Sequence, residues 1–385
     1  MRLALLSRAL TTGGAQVQIC ALARGLAQRG HDVGVVTFYG GGVLERGLPA
    51  ERLTVHSLDK AGRWDIVGPV RSLCRLIRNN RWEALYSFLP MENLLGLCAA
   101  RRTGVPIVWG LRGAAVKRDQ FGLASSLLYG LQFGLMSRPQ AVISNSLSAL
   151  RDLGIVPDRR VHSVPNGIDT ARYDFRPEVR AAFRAEHGFH ASTPLIGIVA
   201  RLDPMKDHTT FLRAARQIAD HVEAARFVVA GDGPADYRRQ LEEQARELGI
   251  ESRVLWLGEV SDPSLIYSAL DVLVSASAFG EGFSNVVAEA MSSGLAVVTT
   301  DVGDSARIVG ELGSVVQPQD PQALAAAAID VLRGDHGALR GPRRARIIGE
   351  FGVEAMVIRT ESILSSVIAD WEGPRDRAGR AQGVR

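Results

Sequence analysis

A chain of 385 residues is longer than a single hydrophobic core ordinarily sustains, so about two domains are expected. Hydrophobic residues make up 46% and charged residues 22%, as in a globular protein, and the +4 formal charge comes from cations dispersed along the chain; nucleic acid is disfavoured as a partner, whereas anionic small molecules and anionic lipid surfaces remain open. The three cysteines, Cys20, Cys74 and Cys98, are far apart without C-x-x-C spacing, which argues against a disulfide framework or a zinc site and fits a reducing, cytoplasmic setting.

The first ten residues, MRLALLSRAL, are too short and too interrupted by arginine for a signal peptide and read as a first buried strand. Further apolar runs follow at DVGVVTF, LTVHSL, ALYSFL, PIVWGL, AVISNS and VHSVP, separated by segments of helical period. Ala15, Ile19, Leu22, Ala23 and Leu26 fall on one helical face between the first two. VPNGID, with its Asn166-Gly167 turn pair, closes this half, and an irregular polar stretch runs from about Asp169 to Thr193. The pattern then restarts with LIGIVA, RFVVAG, RVLWLG, DVLVSAS, AVVTTD and SVVQP. Strands alternating with helices predict parallel sheets wrapped by helices, hence two doubly wound, Rossmann-like domains. The expected boundaries are 1–173 and 174–350, with a last helix over about 351–371 crossing back to the first domain and a disordered basic tail over 372–385. No stretch reaches the ~20 apolar residues of a membrane span.

Ligands of doubly wound sheets bind beyond the carboxyl ends of the strands, so the loops there are where chemistry is sought. After the first strand, Gly13-Gly14 precedes a helix; the pair permits close backbone approach to a phosphate, and equally a tight strand-to-helix turn. After LIGIVA, Arg201 and Lys206 share one loop and suit a diphosphate, although surface salt bridges would use the same residues. GDGPAD lacks the third glycine of a dinucleotide fingerprint, because Asp236 occupies its place, and no G-x-x-x-x-G-K-[ST] loop is present. No H-E-x-x-H and no D-x-D pair occurs, so no metal or other cofactor is expected. Between Gly280 and Gly294, Glu281 and Glu289 stand eight positions apart, and Glu289 lies inside an apolar helical run. A carboxylate there requires compensating hydrogen bonds, from a structural partner or from the hydroxyls of a ligand.

ARLDPMK, AGDGP, LGEV and EGFSNVVAE, with GGAQ, ISNS and VPNGID in the first half, resemble the retaining glycosyltransferases of family 4, the group 1 type with the GT-B fold, from residue 3 to about 365. The resemblance implies two Rossmann-like domains facing a cleft, an acceptor bound mainly by the first and a nucleotide-sugar donor bound mainly by the second. Carried over, Arg201 and Lys206 hold the diphosphate, Glu289 takes the ribose hydroxyls, and Glu281 faces the donor sugar. The backbone of Gly282, Phe283, Ser284 and Asn285 contacts sugar and phosphate, Gly258 to Val260 border the base, and Gly14 approaches the diphosphate from across the cleft with Gly13 on the acceptor side. Glu281, Arg201 and Lys206 are the catalytic candidates. Many members carry a histidine after the strand that here reads PIVWG; this chain has Arg112 there, as in a branch resembling bacterial surface-polysaccharide enzymes. Arg112 then either serves the sugar or acceptor, or pairs at a domain interface.

The expected activity is sugar transfer to a lipid-linked or polysaccharide acceptor with retention of configuration and without metal. Alternatives are another GT-B enzyme, an epimerase or phosphorylase, and a non-catalytic two-domain sugar-binding protein. The uncharged segment 122–136 and the helically spaced Arg71, Arg75, Arg78 and Arg81 add an anionic membrane surface as a candidate partner, placing the protein at the inner face of the cell membrane; a buried helix and a solvated face are the other readings.

Overall fold

Each of the thirteen apolar runs forms a strand in the computed structural model, which describes residues 1–11, 13–48, 51–62, 65–112, 123–334 and 337–371. The chain divides into two compact units, Met1–Gly167 together with the segment beginning at Val353, and Ile168–Gly352.

In the first unit, β1 (Arg2–Ser7), β2 (Asp32–Thr37), β3 (Leu53–Ser57), β4 (Ala84–Phe88), β5 (Ile107–Leu111), β6 (Ala141–Ser144) and β7 (Val161–Ser163) form one parallel sheet in the order β3-β2-β1-β4-β5-β6-β7. Between them lie α1 (Gly14–Gln28), α2 (Val67–Asn79), α3 (Pro90–Thr103), α4 (Leu123–Gly134) and α5 (Leu147–Asp152). Leu3 to Leu6 are all buried, although their side chains alternate between the faces, because helices cover the sheet on both sides.

The second unit repeats the plan. Its strands are β8 (Leu195–Val199), β9 (Arg226–Ala230), β10 (Val254–Gly258), β11 (Val272–Ser275), β12 (Ala296–Thr300) and β13 (Ser314–Val316), ordered β10-β9-β8-β11-β12-β13 and all parallel. Its helices are α6 (Pro177–Glu186), α7 (His208–His221), α8 (Ala235–Glu247), α9 (Pro263–Ala269), α10 (Asn285–Ser292), α11 (Ser305–Val309), α12 (Pro321–Arg333) and α13 (Arg340–Phe351). Strand order reverses between β1 and β4 in one sheet and between β8 and β11 in the other, and at such reversals the loops on either side part to leave a crevice.

The stretch from Asp169 to Thr193, read as irregular, contains α6. Polar residues dominate its surface, but Arg184 is buried and anchors the helix through the carbonyls of Ala269, His190, Ala191 and Thr193 and the carboxylate of Asp271 at 2.8 Å. The final helix, α14 (Val353–Ala369), belongs to the first unit and packs on α1. Gly25 permits this: a Cβ there would lie 2.3 Å from Val357. The tail over 372–385, expected to be disordered, lies outside the described residues. Of the segment 122–136, Gly122 lies outside them too; α4 buries Gln132 and exposes Leu127 and Leu131, so it is neither a wholly buried helix nor a uniformly apolar surface. Arg71, Arg75 and Arg78 are exposed on α2, whose Val70, Leu73, Cys74 and Ile77 face the core, and Arg81 is exposed beyond its end. Among the described residues, no helix is long and apolar enough to cross a membrane.

Candidate active site

At the carboxyl ends of β8, β9 and β10 the second unit holds a pocket of about 440 Å³, within the range of small-molecule sites. Arg201, Glu259, Val260, Tyr267 and Glu289 are among its lining residues, so three of the residues picked from sequence converge on one cavity. Val199, Ala200 and Val286 are shared with a narrower crevice at the β8/β11 reversal, which is lined by Lys206, Ser277 and Ser284. Gly258, with φ of +68°, ends β10, and its carbonyl accepts from the amide of Gly231 at 2.7 Å.

Local turns position the two cations differently. Asp203 caps the 3-10 turn Pro204–Lys206 by accepting from Met205 N at 2.9 Å, and Asp207 caps α7 by accepting from Thr210 N at 3.0 Å. Lys206 is thereby held between two capped turns. Its Nζ donates to Glu281 Oε1, which also accepts from Ser277 Oγ at 2.7 Å. Glu281 is 9% and Lys206 19% exposed, so this pair is largely withdrawn from water. Arg201 is 75% exposed and has only a long contact with Asp203, at 3.5 Å. Lys206 is therefore a fixed cation, whereas Arg201 is free to swing.

The loop bearing Glu281 and Gly282 leans on the loop after β12. Asp304 N donates to Gly282 O at 2.8 Å, and Gly303, at φ +66°, leaves room where a Cβ would come within 2.5 Å of Gly282 O. Phe283 is buried with its ring 5.6 Å from that of Phe351, Ser284 is the N-cap of α10 without a side-chain cap bond, and Asn285 begins the helix. The α10 dipole thus starts beside Ser284, in the crevice that Lys206 lines.

Glu289 does not await a ligand to be compensated: Tyr267 Oη donates to its Oε2 at 2.8 Å, and Tyr173 lies near enough to favour its charged form. Burial raises its pKa from the usual carboxylate value despite these tyrosines and the nearby Arg172. Tyr267, itself wholly buried beside this carboxylate, is held far above the ordinary phenol range. Behind Lys206, His208 is fully buried; burial first and Lys206 second lower its pKa to about 4, so its imidazole is neutral.

In the first unit, Gly13 is the extended N-cap of α1, at φ −162°, and Gly14 begins the helix. Arg112 donates to Asn166 Oδ1 at 3.0 Å and to Tyr86 Oη at 2.9 Å, and its guanidinium lies 4.5 Å from the Phe88 ring centre. Three partners within its own unit hold it at the carboxyl end of β5. Sequence reasoning missed Tyr267, Ser277 and Gly303 in the second unit and Gln18 in the first, whose side-chain amide exchanges two hydrogen bonds with the backbone of Gly167 at 3.0 and 2.7 Å. Only the glycine in V-G-D, directly after β12, carried a signal, as a possible tight turn. Among the described residues, no group of three or more His, Cys, Asp or Glu side chains is placed to hold a metal.

Two parallel sheets of order 3-2-1-4-5-6, one extended by a seventh strand, with the convergent residues beyond the strand ends of the second, define a pair of Rossmann-like domains of the GT-B type. Residues 12–172 match the family model described as Glycosyltransferase Family 4, and residues 193–334 the model described as Glycosyl transferases group 1; the chain belongs to this family of glycosyltransferases. It is 34% identical over 235 residues to a D-inositol 3-phosphate glycosyltransferase of Nocardia farcinica, a match covering 58% of this chain and 51% of that protein. The chain thus spans about half the length of that relative. Its fold matches the structure of Anabaena HepE in complex with UDP (TM-score 0.81, 21% identity, 95% of this chain and 100% of that one). It also matches WaaG, a glycosyltransferase involved in lipopolysaccharide biosynthesis (TM-score 0.69, 17% identity, 94% and 99%).

Proposed function

We propose that the chain transfers a sugar from a nucleotide-sugar donor to a hydroxyl of a lipid-linked or polysaccharide acceptor, with retention of configuration and without a metal ion. The observation that carries this reading is the convergence of Arg201, Val260 and Glu289 on one pocket, joined to a crevice lined by Lys206 and Ser284. Support comes from HepE, a protein of the same fold in complex with UDP, and from WaaG's involvement in lipopolysaccharide biosynthesis.

In this reading the base lies against Glu259 and Val260 and the ribose hydroxyls donate to Glu289, whose acceptor capacity is not exhausted by Tyr267. Lys206 has three N–H donors, of which Glu281 uses one, leaving two for the diphosphate, while Arg201 closes on it from the pocket rim. When the anomeric C–O bond breaks, its electron pair leaves with the diphosphate. Positive charge develops on the sugar, near Glu281, and negative charge on the diphosphate, near Lys206 and the α10 N-terminus. The acceptor oxygen bonds to the anomeric carbon on the face the diphosphate leaves, and its proton passes to a departing phosphate oxygen. Fixed charges aimed at both developing charges lower this barrier without reorganising. The exposed arginines of α2 support placement of the protein at an anionic membrane surface.

A thermal-shift screen of the full chain against UDP, GDP, ADP and the matching nucleosides tests the donor assignment, since a ligand of the native state raises the melting temperature. One diphosphate is expected to stabilise the protein well beyond its nucleoside. No shift with any of the three sinks the reading.

A further inference from the structure

A second cavity of the second unit lies at the opposite end of its sheet from the donor pocket. Its volume is about 350 Å³, within the range of small-molecule sites, and Pro194, Asp271 and Leu295 place it at the amino ends of β8, β11 and β12. Because β8 is five residues long, the two cavities stand roughly 15 Å apart. Leu270, Val272, Leu295 and Ala296, all buried, give it an apolar wall, and Arg180, Arg340 and Arg343 are its cations.

The charges in this cavity do not balance. Among the described lining residues Asp271 is the only carboxylate, and it is already committed, accepting from Arg180 at 2.6 Å and from Arg184 at 2.8 Å. The lining therefore carries an excess of two positive charges. Arg343, 2% exposed, donates from Nε to the carbonyl of Leu312 at 3.0 Å, a neutral acceptor that fixes its place. Arg340 is held differently. Its guanidinium lies 3.7 Å from the centre of the Phe175 ring and, among the described residues, makes no hydrogen bond or ion pair. Both arginines stand in the first turn of α13, which holds no acidic residue, although a helix N-terminus favours anions and opposes cations. Burial first and Arg180 second lower the pKa of Arg340 against the pull of Asp271, and burial first and Arg340 second lower that of Arg343. These guanidinium groups repel one another in a partly desolvated place, and a bound anion relieves that repulsion.

We propose that this cavity binds a small phosphomonoester, its phosphate held by Arg340 with Arg180 and Arg343 beside it, and its organic group against Leu270, Val272 and Leu295. A phosphomonoester carries about −2 charge at neutral pH, which matches the excess, and the guanidinium fork suits its oxygens. The apolar wall favours an ester over inorganic phosphate. The site stands apart from the donor reading, because it shares no lining residue with the pocket of Arg201 and Glu289 or with the crevice of Lys206.

Calorimetry on the full chain with phenyl phosphate, inorganic phosphate and phenol tests it. The wild type is expected to bind phenyl phosphate more tightly than either of the others. Arg340→Met, which keeps an unbranched stem against Phe175, weakens phenyl phosphate binding at least tenfold by removing charge-assisted contacts, whereas Arg201→Ala in the donor pocket leaves it unchanged. A measurement on the unsubstituted chain accompanies these: phenyl phosphate should slow modification of Arg340 by an arginine-directed dicarbonyl severalfold, read by peptide mass spectrometry, while the exposed Arg75 reacts at the same rate. No binding of phenyl phosphate by the wild type, phenol or inorganic phosphate bound as tightly, a loss in Arg201→Ala as large as in Arg340→Met, or modification of Arg340 that phenyl phosphate leaves unchanged overturns the assignment.

Discussion

Glu92 makes the first unit sensitive to pH in a way that one substitution exposes. Its carboxyl is held at about 7 in the folded chain against 4.5 in the unfolded one, because burial penalises the charge more than Arg8 relieves it. Between those values the folded state keeps a proton that the unfolded state has lost. The contribution to stability is therefore fully present below pH 4.5 and is lost as pH rises through 7. With these two values the loss between pH 5 and pH 8 amounts to about 2 to 3 kcal/mol. Glu92→Gln cannot ionise, so its stability curve should lack this fall; the amide's own unsatisfied polarity shifts the curve by a constant that cancels in the comparison. Urea titrations at pH 5 and pH 8 measure the difference, followed by the fluorescence of Trp82 and Trp109, both buried in the first unit. If wild type and variant lose stability in parallel over this range, Glu92 is not a buried, proton-holding group.

Lys206→Met should weaken nucleoside diphosphate binding by about 10- to 100-fold and leave nucleoside binding nearly unchanged, given ~1.5–3 kcal/mol per charge-assisted contact; equal losses in calorimetry would refute the clamp. The same change strands the buried Glu281 and should destabilise the second unit by about 3 kcal/mol in denaturant titration, with Lys206→Met/Glu281→Gln recovering most of it. Glu289→Gln should mainly raise the donor KM, since ribose changes little during reaction, and Glu281→Gln should lower kcat by roughly 10²-fold because charge develops beside it; the opposite split in steady-state kinetics would reverse the two roles. Turnover should survive EDTA, and activity abolished by chelation and restored by Mg or Mn would require a metal in place of the cationic clamp. Arg71→Glu/Arg75→Glu should reduce sedimentation with anionic but not neutral vesicles, and unchanged sedimentation would leave the α2 arginines as a solvated face.

Much of this architecture is local and was legible. A strand covered on both faces needs an unbroken run of Val, Ile and Leu, so LIGIVA and its counterparts announce themselves, and their alternation with helices specifies parallel, doubly wound sheets. The site was legible to the extent that it lies on loops after strands: Arg201, Lys206 and Glu281 follow β8 and β11, where such folds bind ligands. Helix α6 was missed because it is short and its buried side pairs a single large apolar residue, Phe183, with the charged Arg184, so that periodicity had little apolar to report there. The tertiary structure alone decided who partners whom. Lys206 meets Glu281 across 75 positions, Tyr267 meets Glu289 across 22, and Gln18 clasps Gly167 across 149. It also decided that Glu92, though buried, has one oxygen without a hydrogen-bond partner among the described residues. Hydrophobic periodicity reports what a residue does for its own strand or helix, whereas the state of a buried charge depends on the few ångströms around it, which only the folded chain assembles.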